Sequence, residues 1–209
     1  MHRAVFLDRD GTLNHDPGYI HRPEALILFP GAREAVRALN EAGYLVVVAT
    51  NQAGIARGYY TEEDLCAVHR KLREEIAAGG GRLDGIYHCP HHPTAGDGPL
   101  TRVCFCRKPA PGMLYRAALD LEIDLGRSWM VGDREGDVEA GRRAGCRAAL
   151  VLTGEGRPTQ EALARAGGIQ PDRVFEALPE AVRWIISTDS PERSARAARP
   201  ASAPPPPPR

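Results

Sequence analysis

The chain has 209 residues, 43% of them hydrophobic, which is enough for one α/β domain with a full core. Its 27 basic residues balance 27 acidic ones, so no net field draws it to nucleic acid or to an anionic membrane surface. No run approaches transmembrane length and no basic-then-apolar leader opens the chain, and five cysteines, an odd number partly grouped as Cys-x-Cys, favour metal binding over disulfides in a reducing, cytoplasmic setting.

Val5-Phe6-Leu7 runs straight into Asp8-Arg9-Asp10-Gly11-Thr12. An apolar run this short, ended by glycine, reads as a buried strand that stops at a turn. Open α/β sheets bind ligands beyond the carboxyl ends of their strands, so Asp8 and Asp10 are expected at the mouth of a crevice. Strand alternation puts them on one side and points Arg9 away. Residues 15–30, with the turn Pro17-Gly18, read as a loop over the crevice. Pro30-Gly31 opens an amphipathic helix with Ala32, Val36 and Leu39 at helical spacing, and Gly43 stops it. Tyr44 to Ala49 is a second buried strand ending in Thr50-Asn51-Gln52, with a loop from Ala53 to Tyr60 behind it. Thr61 and Asp64 form a capping box for a helix that runs to about Ala78. Cys66, inside it, reads as a small buried residue.

Gly85 to His88 is a third strand. The loop after it runs to about Gly112, too long for a plain connection. There follow a helix over Met113–Leu121, a strand over Ser128–Asp133, a helix over Asp137–Ala144, a strand over Arg147–Leu152 with Cys146 in the core beside it, a short helix over Glu161–Ala166, a strandlet at Val174-Phe175 and a helix over Leu178–Ile186. Strands alternating with helices predict a parallel sheet with helices on both faces. From residue 188 onward Ser, Pro, Ala and Arg dominate, ending in the prolines 204–208. The reading is one domain, residues 1–187, and a disordered, partly polyproline tail, residues 188–209.

Two carboxylates on one side repel each other and invite a hard cation such as Mg²⁺. With a metal bound, one of them can attack phosphorus. Other segments supply the rest: Thr50 and Asn51 offer a hydroxyl and an amide to phosphate oxygens, Arg107-Lys108 places two cations just before a helix, and Asp133 ends the fourth strand. Phosphoryl transfer asks for an in-line nucleophile, a metal and cations on the equatorial oxygens. A second constellation is Cys89-Pro90-His91-His92-Pro93 with Cys104-Phe105-Cys106, a Cys₃His set suited to structural Zn²⁺. His88, His91 and His92 compete for its fourth position.

The strings Phe6-Leu7-Asp8-Arg9-Asp10-Gly11-Thr12, Thr50-Asn51-Gln52, Arg107-Lys108-Pro109 and Gly132-Asp133, in that order, resemble the four motifs of the haloacid dehalogenase (HAD) superfamily. The resemblance implies a HAD-like Rossmannoid sheet without a large cap, and a Mg²⁺-dependent phosphatase working through an aspartyl phosphate. Asp8 would be the nucleophile and Asp10 the general acid, then base. Mg²⁺ would sit on Asp8, the Asp10 carbonyl and Asp133, with Asp137 either supporting the metal site or starting a helix. Thr50 and Lys108 would hold the transferred group. The zinc loop resembles that of one HAD branch, which acts on sugar bisphosphates and on histidinol phosphate, and by that match His91 is the ligand with Cys89, Cys104 and Cys106. Within the branch, Asp16, Pro17, Gly18, Tyr19, Asn51, Gln52, Ala53, Arg57, Arg107 and Arg134 join Thr50 and Lys108 as expected substrate contacts. Arg134 departs from the lysine expected there, which keeps the charge and changes its geometry. The implied substrate is a heptose bisphosphate that loses its 7-phosphate on the route to nucleotide-activated heptose for surface glycans such as lipopolysaccharide, with histidinol phosphate as the alternative. A HAD-like binding module without turnover is the rival of another class; retention of Asp10 speaks against it. A zinc-dependent nucleic-acid binder is opposed by neutral charge. A cytoplasmic monomer with a small sugar-phosphate partner, and no nucleic-acid or membrane partner, is expected.

Overall fold

A computed structural model describes residues 1–188; of the expected tail 188–209 it describes only Thr188, which ends the last helix rather than starting a disordered segment, and the rest lies outside the described residues. Six strands form one parallel sheet: β1 (Ala4–Leu7), β2 (Leu45–Asn51), β3 (Gly85–Cys89), β4 (Trp129–Gly132), β5 (Arg147–Val151) and β6 (Arg173–Phe175), in the spatial order β3-β2-β1-β4-β5-β6. The helices between and after them are α1 (Ala32–Glu41), α2 (Glu62–Ala78), α3 (Gly112–Asp120), α4 (Glu135–Ala144), α5 (Gly156–Ala166) and α6 (Leu178–Thr188).

The apolar runs of the central strands follow from burial on both faces. Alternate residues feed two separate cores. Val5, Leu7, Val46, Val48 and Val131 join α1, α2 and α6 on one side. Ala4, Phe6, Val47, Ala49 and Met130 join α3 on the other. Trp129 is fully buried; Trp184 of α6 meets it edge-on at 5.5 Å and the Arg147 guanidinium lies 4.2 Å from its ring centre. Each such aromatic or aliphatic side chain contributes about 1.5–3 kcal/mol by leaving water. The rigid sheet that results fixes where the strand ends point.

Two local expectations change. α5 begins at Gly156, not near Glu161. Pro158 falls in its first turn, where a backbone N–H has no helical acceptor and its loss costs little. Cys66 is exposed, not buried. The buried stripe of α2 is Leu65, Val68, His69, Leu72 and Ile76, and Cys66 lies a full step, about 100°, off it. The Thr61–Asp64 capping box forms as read, with Thr61 N–H donating to Asp64 at 2.9 Å and Asp64 N–H to Thr61 Oγ1 at 3.2 Å.

Candidate active site

The strand order reverses direction at β1, and a crevice forms there beyond the carboxyl ends of β1, β2 and β4. A cavity of about 480 Å³ holds Asp8, Asp10, Thr50, Lys108 and Asp137, with Asp16, Tyr19, Arg57, Arg107 and Arg134 around it.

Asp8 follows β1 directly, its N–H donating to Val131 O of β4 at 2.9 Å. Asp8, Asp133 and Asp137 are all buried, and carboxylate oxygens from the three lie within 4.8 Å of one another. One cation answers them: Lys108 Nζ is 2.7 Å from Asp8 Oδ1, 2.6 Å from Asp137 Oδ1 and 2.7 Å from Ala49 O. Burial pushes the Asp8 carboxyl up to about 8, with Lys108 pulling it down and Asp137 and Asp133 adding to the rise. Burial and then Asp137 push Asp133 up to about 7. Asp133 Oδ1 is buried with no hydrogen-bond partner, while Oδ2 accepts from Glu155 N at 2.8 Å. An orphaned buried carboxylate oxygen in a set of three acids and one ammonium is a donor set short of one dication. Two glycines at positive φ, Gly11 (+88°) and Gly154 (+54°), close around Asp133, and a Cβ on either would overlap its carboxylate. Gly154 was not among the expected site residues; only a Thr-Gly pair after the fifth strand hints at it. Asp137 starts α4, its Oδ2 accepting from Arg134 N at 2.9 Å, while its Oδ1 meets Lys108.

Asp10 differs from expectation. The alternation that should point Arg9 outward stops with β1 at Leu7, and Arg9 turns inward with no exposed surface. Its Nε and Nη2 donate to Asp10 Oδ1 and Oδ2 at 2.9 and 2.7 Å, while Asn14 Nδ2 and Gln52 Nε2 add bonds of 3.0 and 2.9 Å. Asp10 is therefore a saturated carboxylate rather than a free one. Burial would raise it, but the Arg9 charge and these hydrogen bonds hold it below the ordinary carboxylate range. His69 and Tyr60 complete the network: Arg9 Nη1 lies 3.3 Å from His69 Nε2, and Tyr60 OH donates to Gln52 Oε1 at 2.6 Å. Neither residue carries a local sequence signal.

Thr50 Oγ1 lines the cavity and accepts from Gln52 Nε2 at 2.8 Å. Asn51 lies in the lining as well, but its amide is engaged at both ends by the Lys108 backbone, at 3.0 Å each. It sets the position of Lys108. Asp16 accepts from Gly18 N at 2.9 Å, and its carboxylate lies 3.6 Å from Arg134. Tyr19, at φ +50°, meets Tyr59 edge-on at 4.8 Å on the rim. Ala53 and Gly18 line the cavity, and Pro17 is an exposed turn residue beside it.

The second constellation closes on itself. Cys89, His91, Cys104 and Cys106 each bring one ligand atom within 4.8 Å of the others. The sulfur pairs are 3.3–3.5 Å apart and His91 Nδ1 lies 3.3 Å from Cys106 Sγ. A tetrahedral zinc with bonds of about 2.3 Å holds its sulfurs about 3.8 Å apart, so the set needs only a slight expansion. Of the three competing histidines, His91 faces the sulfurs. His88 bonds Glu62 at 2.8 Å and His92 faces the cavity.

A HAD-hydrolase-like family model matches residues 105–181. The chain is 45% identical over 188 residues to the D-glycero-D-manno-heptose-1,7-bisphosphate 7-phosphatase of Thermosynechococcus vestitus, covering 88% of this chain and 95% of that protein. It is 43% identical over 185 residues to the β-anomer-named enzyme of Pasteurella multocida, covering 88% and 97%. The crystal structure of D,D-heptose 1,7-bisphosphate phosphatase from B. bronchiseptica, complexed with magnesium and phosphate, superposes with a TM-score of 0.78 at 39% identity, over 88% of this chain and 98% of that one.

Proposed function

The chain belongs to the HAD-like hydrolases, in the family of the D-glycero-D-manno-heptose-1,7-bisphosphate 7-phosphatases, and we propose that Asp8 carries the phosphoryl group in its reaction. It is a phosphoric monoester hydrolase that removes the 7-phosphate of heptose 1,7-bisphosphate. The observation that carries the catalytic reading is the convergence of Asp8, Asp133 and Asp137 on Lys108 at the end of β1.

The orphaned Asp133 oxygen and the excess of buried carboxylates fit Mg²⁺, which Asp8, Asp133 and the Asp10 carbonyl would hold. Bound there, it supplies Lewis-acid neutralisation of the phosphoryl oxygens. Asp8 attacks phosphorus in line, and the bond to the sugar oxygen breaks. Lys108 and Thr50 hold the equatorial oxygens. Asp10 gives its proton to the leaving oxygen, then takes one from the water that cleaves the aspartyl phosphate. Arg9 and the hydrogen bonds around it favour the ionised form of Asp10 at rest, so Asp10 must take up a proton from solvent before it serves as the acid.

The substrate test is phosphate release with Mg²⁺ from both anomers of heptose 1,7-bisphosphate and from histidinol phosphate. One anomer of the bisphosphate is expected to exceed histidinol phosphate by about a hundredfold or more in kcat/KM, the cost of leaving buried charged donors unpaired. Equal turnover of histidinol phosphate would overturn the substrate and leave the phosphatase chemistry standing.

The raised carboxylates give a pH prediction. The ordinary value of 3.8 for Asp8 and Asp133 rises to about 8 and about 7 on folding without metal. The folded chain then binds more protons than the unfolded chain between those limits, so this contribution to stability is present at low pH and is lost as pH rises through 7 to 8. Mg²⁺ reverses the penalty by favouring the ionised forms. The rise in Tm on adding Mg²⁺ should be larger at pH 8 than at pH 6, and an equal rise at both would show that no proton is displaced.

A further inference from the structure

We propose that His69 of α2, which lies outside the lining of the cavity, positions the general acid of the reaction by holding Arg9 against Asp10. This rests on the acid and base roles given to Asp10 above. Four of the five residues in the buried stripe of α2 are apolar, and His69 is the exception. A buried imidazole needs a partner, and its partner here is the guanidinium that grips Asp10. Arg9 has no exposed surface, and it keeps its charge at every working pH. One edge of its guanidinium, Nε and Nη2, donates to the two Asp10 oxygens at 2.9 and 2.7 Å. Nη2 also reaches Gln52 Oε1 at 3.3 Å. Nη1, on the other side of the fork, has one partner among the described residues, His69 Nε2 at 3.3 Å.

Arginine only donates, so the His69 lone pair is on Nε2 and the ring proton on Nδ1. A protonated ring would set two cations against each other at this distance. Burial first, then Arg9 and His88, hold the ring neutral by lowering it to about 3, and it remains an acceptor. The guanidinium is thus held from both sides. Asp10 holds it from the loop after β1, and His69 holds it from a helix that the Thr61–Asp64 box caps and that Val68, Leu72 and Ile76 tie to the core. A planar group held from both sides does not turn, so α2, 60 residues beyond Arg9 in the chain, fixes the orientation of the Asp10 carboxylate. That carboxylate lines the cavity, where it has to meet the leaving oxygen and then the attacking water in one geometry. Without the imidazole, Nη1 would be a buried donor on a charged group with nothing to bond. The guanidinium would turn toward another acceptor and take Asp10 with it. His69 acts through Arg9 and is a positioning residue.

The test separates protonation of the leaving group from folding. A sugar oxygen leaves with a proton, whereas p-nitrophenolate leaves without one near neutral pH. The ratio of kcat/KM for heptose 1,7-bisphosphate to that for p-nitrophenyl phosphate is measured on the Mg²⁺-loaded full chain, with Tm for each variant. Each kcat/KM covers the steps up to release of the leaving group, and the ratio cancels the fraction of folded enzyme. His69→Leu keeps the bulk and removes the acceptor, and it should shrink the ratio by about ten- to a hundredfold, the scale on which a small misplacement of a reacting group acts. His69→Gln restores an acceptor near the Nε2 position and should recover most of the ratio. An unchanged ratio in His69→Leu means that His69 only fills the core, and it overturns the proposal; so does a His69→Gln ratio as small as that of His69→Leu. If His69→Leu yields no folded chain, His69→Asn, whose amide ends short of Nη1, takes its place under the same outcomes. Asp10→Asn tests the parent reading separately and should shrink the ratio at least as far. A wild-type ratio in Asp10→Asn removes the acid role from Asp10. A shrunken ratio there, beside an unchanged one in His69→Leu, defeats this inference alone.

Discussion

Asp8→Asn is expected to abolish phosphate release, by about 10⁴-fold or more, the scale on which losing a catalytic nucleophile acts in other enzymes. Asparagine has the shape of aspartate and none of its nucleophilicity. The fold should tolerate it, because the exchange removes one of three crowded buried carboxylates and leaves Lys108 paired with Asp137. In Mg²⁺-free buffer at pH 8, where Asp8 repulsion is greatest, Tm should hold or rise. The decisive pair of measurements is phosphate release at saturating Mg²⁺ and Tm on the same preparation. Turnover within tenfold of wild type would remove Asp8 from its assigned role. A lost activity accompanied by a collapsed Tm would mean that Asp8 acts through the fold.

Cys106→Ser is expected to have the second largest effect. Three sulfurs and one imidazole at mutual ligand distances form a closed set with no open position for substrate water, the signature of a structural site. Elemental analysis of wild type should find about one zinc per chain by that ligand count. The loop from 89 to 106 crosses a stretch of exposed Gly, Pro and Thr that has little core of its own, and Arg107 and Lys108 follow its last ligand directly. Releasing that ligand lets both cations drift from the crevice. Activity should fall about ten- to a hundredfold, as when the support of a metal site is cut, and Tm should fall by several degrees. Cys66→Ser is the control: the exposed thiol on α2 lies outside the cluster, and its removal should change neither quantity. A fully active, zinc-free wild type carrying no substitute metal would show that the cluster is not a metal site.

Much of this molecule was legible along the chain. Val5 to Leu7, Leu45 to Ala49 and Trp129 to Val131 are short apolar runs that only a doubly covered parallel strand accommodates, and each hands its carboxyl end to a polar string. Those strings, Asp8 to Thr12, Thr50 to Gln52 and Asp133, therefore meet wherever the strands pair. The spacing of Cys89 and His91 against Cys104 and Cys106 likewise brings three sulfurs and one imidazole together at the base of one loop. These readings succeed because strand period, helix period and turn residues are local properties.

Tertiary structure decided the rest. Nothing near Arg9 in the chain says that it folds in and holds Asp10, because the bond depends on where β1 ends and on Gln52, 43 residues away. The choice of His91 over His88 and His92 turned on which imidazole faces sulfur, which faces Glu62 and which faces the cavity. Asp137 reads as a helix-start acid until Lys108 is brought 2.6 Å from it. In each case the residue type was visible in the sequence and its partner was not: charges and hydrogen-bond donors act over a few ångströms, and only folding decides which distant groups come that close and lose their water.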